Sequence, residues 1–348
     1  MTARRRWVPY ALMAPGLIWL LLFFVLPNVQ MGLTSLSSGR VGNFELTGDL
    51  SHYANALTAF PTQFRNSLVY GGLATLLCVL IGFPLAYGIA FRGGRYKTLL
   101  LLLVIAPFFT SFLIRTISWR IILGNDGPFL GVVRDTLGIV PDNFSVLGTP
   151  LAVVSGITYQ FLPFMVLPAY VSLEKIDRNL IEAARDLYAG PWRPGGGIVG
   201  GLIGAVLAAG LGLGLDYLAL GPLFELDIAG SLPLFGALAF GGAVGAAVGW
   251  FLISESFVRI VWPLGLPGIF AGSILVFIPS IGDYVNVELL GNPRTQMIGN
   301  VIQNRFLSQN DYQTAASLSF ILMAGILIAV LAYARLLGTE ELTGGRSA

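Results

Sequence analysis

Repeatedly along this chain, apolar residues run for the thickness of a lipid bilayer with almost no charged side chain among them. Residues 9–32 hold none, and neither do residues 67–91. A hydrocarbon layer of about 30 Å is crossed by about 20 helical residues. Inside it every backbone N–H and C=O needs an internal partner, which leaves only helices or a closed barrel. A barrel would show short segments of alternating polarity. The blocks here are solid, so the expected fold is an all-α polytopic membrane protein. Its spans are expected near residues 9–32, 67–91, 98–123, 147–173, 198–221, 231–253, 264–282 and 315–337, eight in all. The chain is 55% apolar and 11% charged, where soluble domains have about 45–50% and about 25%. Arg4, Arg5 and Arg6 before the first block imitate a signal peptide. That block outruns the h-region of about 7–15 residues, so it reads as a retained helix.

The formal charge of +2 matters less than where the basic residues fall. With the N-terminus cytoplasmic, inner segments carry thirteen Lys and Arg, among them Arg92, Arg95, Lys97, Lys175 and Arg178. Outer loops carry five: Arg40, Arg65, Arg134, Arg294 and Arg305. This asymmetry predicts that both termini are cytoplasmic. Arg115 and Arg120 are expected high in the third helix, where long stems can snorkel. Whether they are positional or functional stays open.

Several function classes lose their support at this stage. Gly195, Gly197 and Gly200 match the GxGxxG spacing, but no strand precedes them and a hydrophobic helix follows. No phosphate-binding GxxxxGK[ST] loop occurs, and the chain has two lysines, Lys97 and Lys175. The one histidine, His52, excludes multi-histidine metal sites and leaves a Ser/His/Asp hydrolase without an elbow motif. Cys78, the one cysteine, forms no intrachain disulfide. The expectation is a transport subunit rather than an enzyme, with no metal, no cofactor of its own and no nucleic-acid partner.

After the fourth block comes EKIDRNLIEAARDLYAGPWR, residues 174–193. Ile176, Leu180, Ile181, Ala184 and Leu187 repeat at helical spacing with charges opposite, an amphipathic cytoplasmic helix. On these residues alone it either lies on the membrane surface or inserts into a partner. Glu182, Ala183 and Ala184 resemble the EAA signature of ABC importer permeases. FVRIVWPLGLPGIFAGSILVFIPSIGDYVNVELLG at 257–291, MIGNVIQNRFL at 297–307 and APFFTSFLIRTISWRIIL at 106–123 resemble the spermidine/putrescine branch of that family.

The resemblance implies a MetI-like permease bundle of about six family helices, here with an inserted transmembrane hairpin. The implied organisation is an N-terminal helix (1–33), a first core part ending in the coupling helix (62–193), the glycine-rich inserted hairpin (194–256), a second core part (257–340) and a cytoplasmic tail (341–348). Two departures from the family pattern stand out. Tyr188 occupies a glycine position, so the turn after the coupling helix is expected to differ. Between Tyr188 and Ile260 lie 71 residues where the pattern has a short spacer. Within the insertion Gly197 and Gly201, Gly200 and Gly204, and Gly241, Gly245 and Gly249 recur at four-residue spacing, which permits close helix packing.

The resemblance further implies polyamine import driven by ATP that a partner subunit binds. The implied partners are a second permease subunit, cytoplasmic ATPase subunits, an extracytoplasmic solute-binding protein and the lipid bilayer of a prokaryotic plasma membrane. Coupling to the ATPase falls to Glu182, Ala183, Ala184, Asp186, Leu187 and Tyr188. Gln160, Asp283, Tyr284, Asn286 and Glu288 are candidates for the substrate pathway. Asp283 has two other readings: a cap on a helix break beside Gly282, or a partner for Arg115. Import of iron, thiamine or another organic cation remains an alternative, as does a transport-inactive scaffold whose insertion has disrupted ATPase docking.

Overall fold

The structure is a computed structural model, described here for residues 8–40, 43–136, 145–177, 179–180 and 261–336. The helices in chain order are α1 (Val8–Leu20), α2 (Leu26–Ser35), α3 (Ser51–Ala59), α4 (Pro61–Tyr87), α5 (Lys97–Ile105), α6 (Phe112–Ile122), the single turn α7 (Pro128–Leu130), α8 (Pro150–Glu174), α9 (Trp262–Ile281), α10 (Val285–Leu290), α11 (Ile298–Leu307) and α12 (Tyr312–Leu336). Among the described residues, five helical stretches are long and apolar enough to cross a membrane: Leu12–Ser35, Pro61–Arg92, Pro150–Glu174, Trp262–Ile281 and Tyr312–Arg335. They match the expected first, second, fourth, seventh and eighth spans. The spans expected at 198–221 and 231–253 lie outside the described residues.

The expected third span, 98–123, is not one helix. Gly94–Phe109 and Phe112–Ile122 are bent by 95° to one another, a broken span or a re-entrant loop. Pro107 lies in a 3-10 turn at Ala106–Phe109, and Thr110 follows with extended backbone (φ −95, ψ 153). Proline cannot donate to the helical ladder, and the Pro107 carbonyl accepts from both the Thr110 hydroxyl at 2.6 Å and the Thr110 amide at 3.1 Å. Across the elbow the Arg115 guanidinium lies over the Phe108 ring, 4.9 Å from its centroid. Phe108 in turn meets Phe164 of α8 edge-on at 5.1 Å.

The chain separates into two compact units, residues 1–64 with 298–348, and residues 65–297. In the first, α12 packs against α2, α3 and α11. Its core gathers Ala56, Ile298, Val301 and Leu318, with Phe60 beside them. A small antiparallel hairpin, β1 (Ser37–Arg40) and β2 (Asn43–Leu46), pairs Ser37 with Leu46. Gln313 of α12 donates to the Gly39 carbonyl at 2.7 Å. No such hairpin was expected from the hydrophobic pattern, because strands this short carry no periodic signal against an apolar background.

In the second unit α8 is the axis, contributing to four separate core clusters through Val166 and Leu173, Val153 and Ile157, Ala152, and Met165. Its closest partner is α9, and glycine makes the approach possible. A Cβ on Gly268 would stand 2.6 Å from the Pro168 carbonyl oxygen, and one on Gly272 would stand 2.7 Å from Met165 Sδ. Lipid tails give helices no hydrophobic reason to associate, so such small-residue contact supplies the attraction. At the other end of the unit, Asn66 of α4 donates to the Arg294 and Gln296 carbonyls at 3.1 and 3.0 Å. Asn66→Ala would leave both acceptors without that donor and is expected to destabilise by about 2 kcal/mol. Thermal unfolding of the purified chain in detergent measures this.

Candidate functional site

The sequence-derived candidates fall into two groups. The first lies where α8 meets α10. Gln160 sits midway along α8, 3% exposed, and its Nε2 has no hydrogen-bond partner. Helix geometry leans its side chain back over Gly156, one turn earlier. Gly156 itself faces α10: a Cβ there would lie 3.3 Å from Asn286 Oδ1 and 2.5 Å from Leu290 Cδ1. Asn286, 1% exposed, also keeps Oδ1 unpartnered. Two buried amides on neighbouring helices thus each hold one unsatisfied polar atom.

Asp283 fixes which atom of Asn286 is left over. Asp283 Oδ2 accepts from Asn286 Nδ2, while Oδ1 accepts from the Val285 and Asn286 amides at 3.1 Å each. Its carboxylate is therefore the cap of the short α10, in line with one of the two structural readings of the sequence. The other is corrected: Arg115 does not reach Asp283 but stacks on Phe108. Tyr284 and Glu288, one turn apart, occupy the exposed face of α10, with Tyr284 43% exposed.

Sequence reasoning passed over two further buried polar groups. Trp119 of α6 leaves Nε1 unpartnered while its ring meets Tyr159 of α8 edge-on at 5.4 Å. Asn66 leaves Oδ1 unpartnered. Asn66 was legible in principle, because a polar side chain at the end of a membrane span is a functional or structural candidate by default. Trp119 carried no such signal, since an indole in an apolar run reads as packing.

The second group belongs to the segment after α8. Glu182, Ala183, Ala184, Asp186, Leu187 and Tyr188 lie outside the described residues, as does the whole of 194–256. The root of the segment is described. Ile176 is buried and shares a cluster with Leu173, Val166, Ile269 and Val261. Leu180 is exposed and lines, with Val171, Lys175, Leu264 and Pro267, a cleft of about 810 Å³ between α8 and α9. Asp177 Oδ1 caps the next turn through the Asn179 amide at 2.9 Å.

No protein-family model matches the chain. A solved structure, that of a bacterial alginate ABC transporter in complex with an alginate pentasaccharide-bound periplasmic protein, contains a chain that aligns with TM-score 0.58. The alignment covers 98% of this chain and 96% of that one at 15% identity. Spans, broken third helix and this likeness together define a multi-pass ABC transporter permease fold. The spermidine/putrescine transport system permease protein PotB of Haemophilus influenzae is 29% identical over 319 residues, covering 91% of this chain and 90% of the relative. PotB of Escherichia coli K12 is 30% identical over 318 residues, covering 90% of this chain and 92% of the relative. The chain belongs to this PotB-type family of ABC transport permeases, whose members are transport subunits rather than enzymes, and is a multi-pass plasma-membrane protein.

Proposed function

We propose that the chain is the permease subunit of an ATP-driven polyamine importer, moving spermidine or putrescine inward by alternating access. The observation that carries this is 30% identity to a spermidine/putrescine permease across nine-tenths of both chains. Its partners in this reading are a second permease, cytoplasmic ATPase subunits that bind the ATP, and an extracytoplasmic solute-binding protein. Both termini are cytoplasmic, on the side that carries the thirteen basic residues. The coupling helix runs through Glu182, Ala183, Ala184, Asp186, Leu187 and Tyr188 and docks on the ATPase as an amphipathic insert.

A polyamine amine is costly in hydrocarbon, at least about 2.5 kcal/mol per charge, so the pathway must offer polar atoms. Gln160 and Asn286 offer amide groups, and rotation of the Gln160 amide exchanges its donor for an acceptor. Tyr284 and Glu288 extend the polar face of α10. Asp283 acts through Asn286, holding Nδ2 so that Oδ1 remains for the substrate amine. Asp283→Asn keeps an acceptor for the α10 amides but sets two amide groups against each other. It is expected to raise KM for spermidine about tenfold, with kcat changed less, the worth of one charge-assisted hydrogen bond.

The reading is tested by reconstituting the complete transporter in proteoliposomes and measuring ATP-dependent uptake of radiolabelled spermidine. Excess putrescine should compete, and thiamine and ferric iron should not. Competition by thiamine or iron alone would replace the substrate class. A complex that assembles with its ATPase and hydrolyses ATP yet takes up none of these would overturn the importer reading.

A further inference from the structure

An ion pair joins two turns at the same end of the second unit. Lys97, the first residue of α5, places Nζ 2.7 and 2.8 Å from the two carboxylate oxygens of Glu174, the last residue of α8. The turn before α5 is shaped for this reach. A Cβ on Gly93 would stand 2.9 Å from Lys97 Cγ and 2.5 Å from the Ile89 carbonyl oxygen, so the lysine stem is laid across a residue that must be glycine. Gly94 follows in the left-handed region at φ 48. The lysine side chain is 20% exposed and the glutamate 42%.

Stability is a weak reason for such an arrangement, because ion pairs this exposed contribute only about 0–1 kcal/mol. Position is a better one. Beyond Glu174 begins the amphipathic segment 174–193. Beyond Lys97, α5 leads to the Pro107 elbow, which Arg115 braces against Phe108, and then to α6, which packs against α10, the helix that carries Asn286. Among the described residues the pair is a polar side-chain tie between the root of the segment and α5, beside the apolar packing of Leu100, Leu101 and Val104 on the cluster that holds Leu173 and Ile176.

We propose that Lys97 and Glu174 form a coupling strut: positioning residues that transmit displacement of the cytoplasmic segment into α5 and through the elbow to the pathway. This rests on the assignment of 174–193 as the ATPase-coupling segment. The pair makes no contact with ATP or substrate. Its work is to keep the segment and α5 moving as one body.

The complete transporter, reconstituted in proteoliposomes, is assayed for spermidine uptake and ATP hydrolysis together. Lys97→Met and Glu174→Gln are each expected to lower the spermidine carried per ATP about fivefold, while hydrolysis continues, equivalent to about 1 kcal/mol of coupling. The exchange of charges, Lys97→Glu with Glu174→Lys, should restore the ratio to within about twofold, as a pairwise interaction requires. A merely structural role would reduce uptake and hydrolysis together with the amount of assembled complex and leave the ratio unchanged, and that result overturns the strut. So does a ratio that the exchange fails to restore. Ala184→Trp run in parallel separates the two levels of the argument. If it loses uptake while the strut variants keep their ratio, the strut alone falls; if it transports normally, the coupling assignment falls and takes the strut with it.

Discussion

A transporter carrying Ala184→Trp is expected to lose about 30-fold or more of its ATP-driven spermidine uptake while inserting into the membrane in normal amount. In sequence the apolar residues around Ala184 recur at helical spacing, and a helix laid into a groove is bound through a few closely fitted positions. Disrupting such a position costs about 2 kcal/mol or more, which is about 30-fold in affinity. In the proposed docking, an indole in place of a methyl group adds bulk that the groove would have to accommodate. Co-purification of the ATPase subunit with the permease, alongside uptake, gives the measurement. Ala184→Gly, which adds no volume, should retain both, and normal uptake by the tryptophan variant would remove the coupling assignment.

The second large effect lies in the bilayer. Gly268→Val is expected to destabilise the permease by about 3 kcal/mol, at the upper end of what overpacking costs. The new Cβ would meet the Pro168 carbonyl oxygen and Ser172 Cβ at 2.6 Å and Ala169 Cα at 2.9 Å. Two of those atoms are backbone of α8, and α8 cannot retreat without disturbing the four clusters it joins. Gly72→Val provides the comparison, because a Cβ there has nothing within 4 Å. Thermal unfolding in detergent should separate the two variants clearly, and equal stability would show that α9 has room to move.

What could be read from the sequence follows from how each feature is encoded. The membrane spans at 67–91 and 147–173 were legible because bilayer thickness imposes a length on any apolar run. The break at Pro107 was not. Prolines inside α8 (Pro163 and Pro168) and α9 (Pro267 and Pro279) leave those helices continuous, so proline alone does not mark a break. Here the break also has Thr110 and Ser111, whose hydroxyls suit a chain leaving helical geometry. Gln160, Asp283 and Asn286 could be picked out as polar groups among apolar ones. Their division of labour could not, because it depends on Gly156 bringing α8 against α10 and on which side of its amide Asn286 gives to Asp283. Arg115 shows the same limit: its cost in a bilayer was evident, but its resting place on Phe108 required the elbow.

Ile176 and Val261, which bracket the coupling segment and the insertion together, are buried in one cluster. The chain before the coupling segment and the chain after the insertion are therefore joined through the bundle itself. Closing a loop costs entropy that grows only with the logarithm of its length, about 0.6 kcal/mol for each doubling. A chain that has already clamped both ends can lengthen between them by dozens of residues with little thermodynamic penalty to the permease core. On this ground the connection between Ile176 and Val261 would tolerate insertion, and new sequence gained there could be selected for its own properties while the transport scaffold stays as it was.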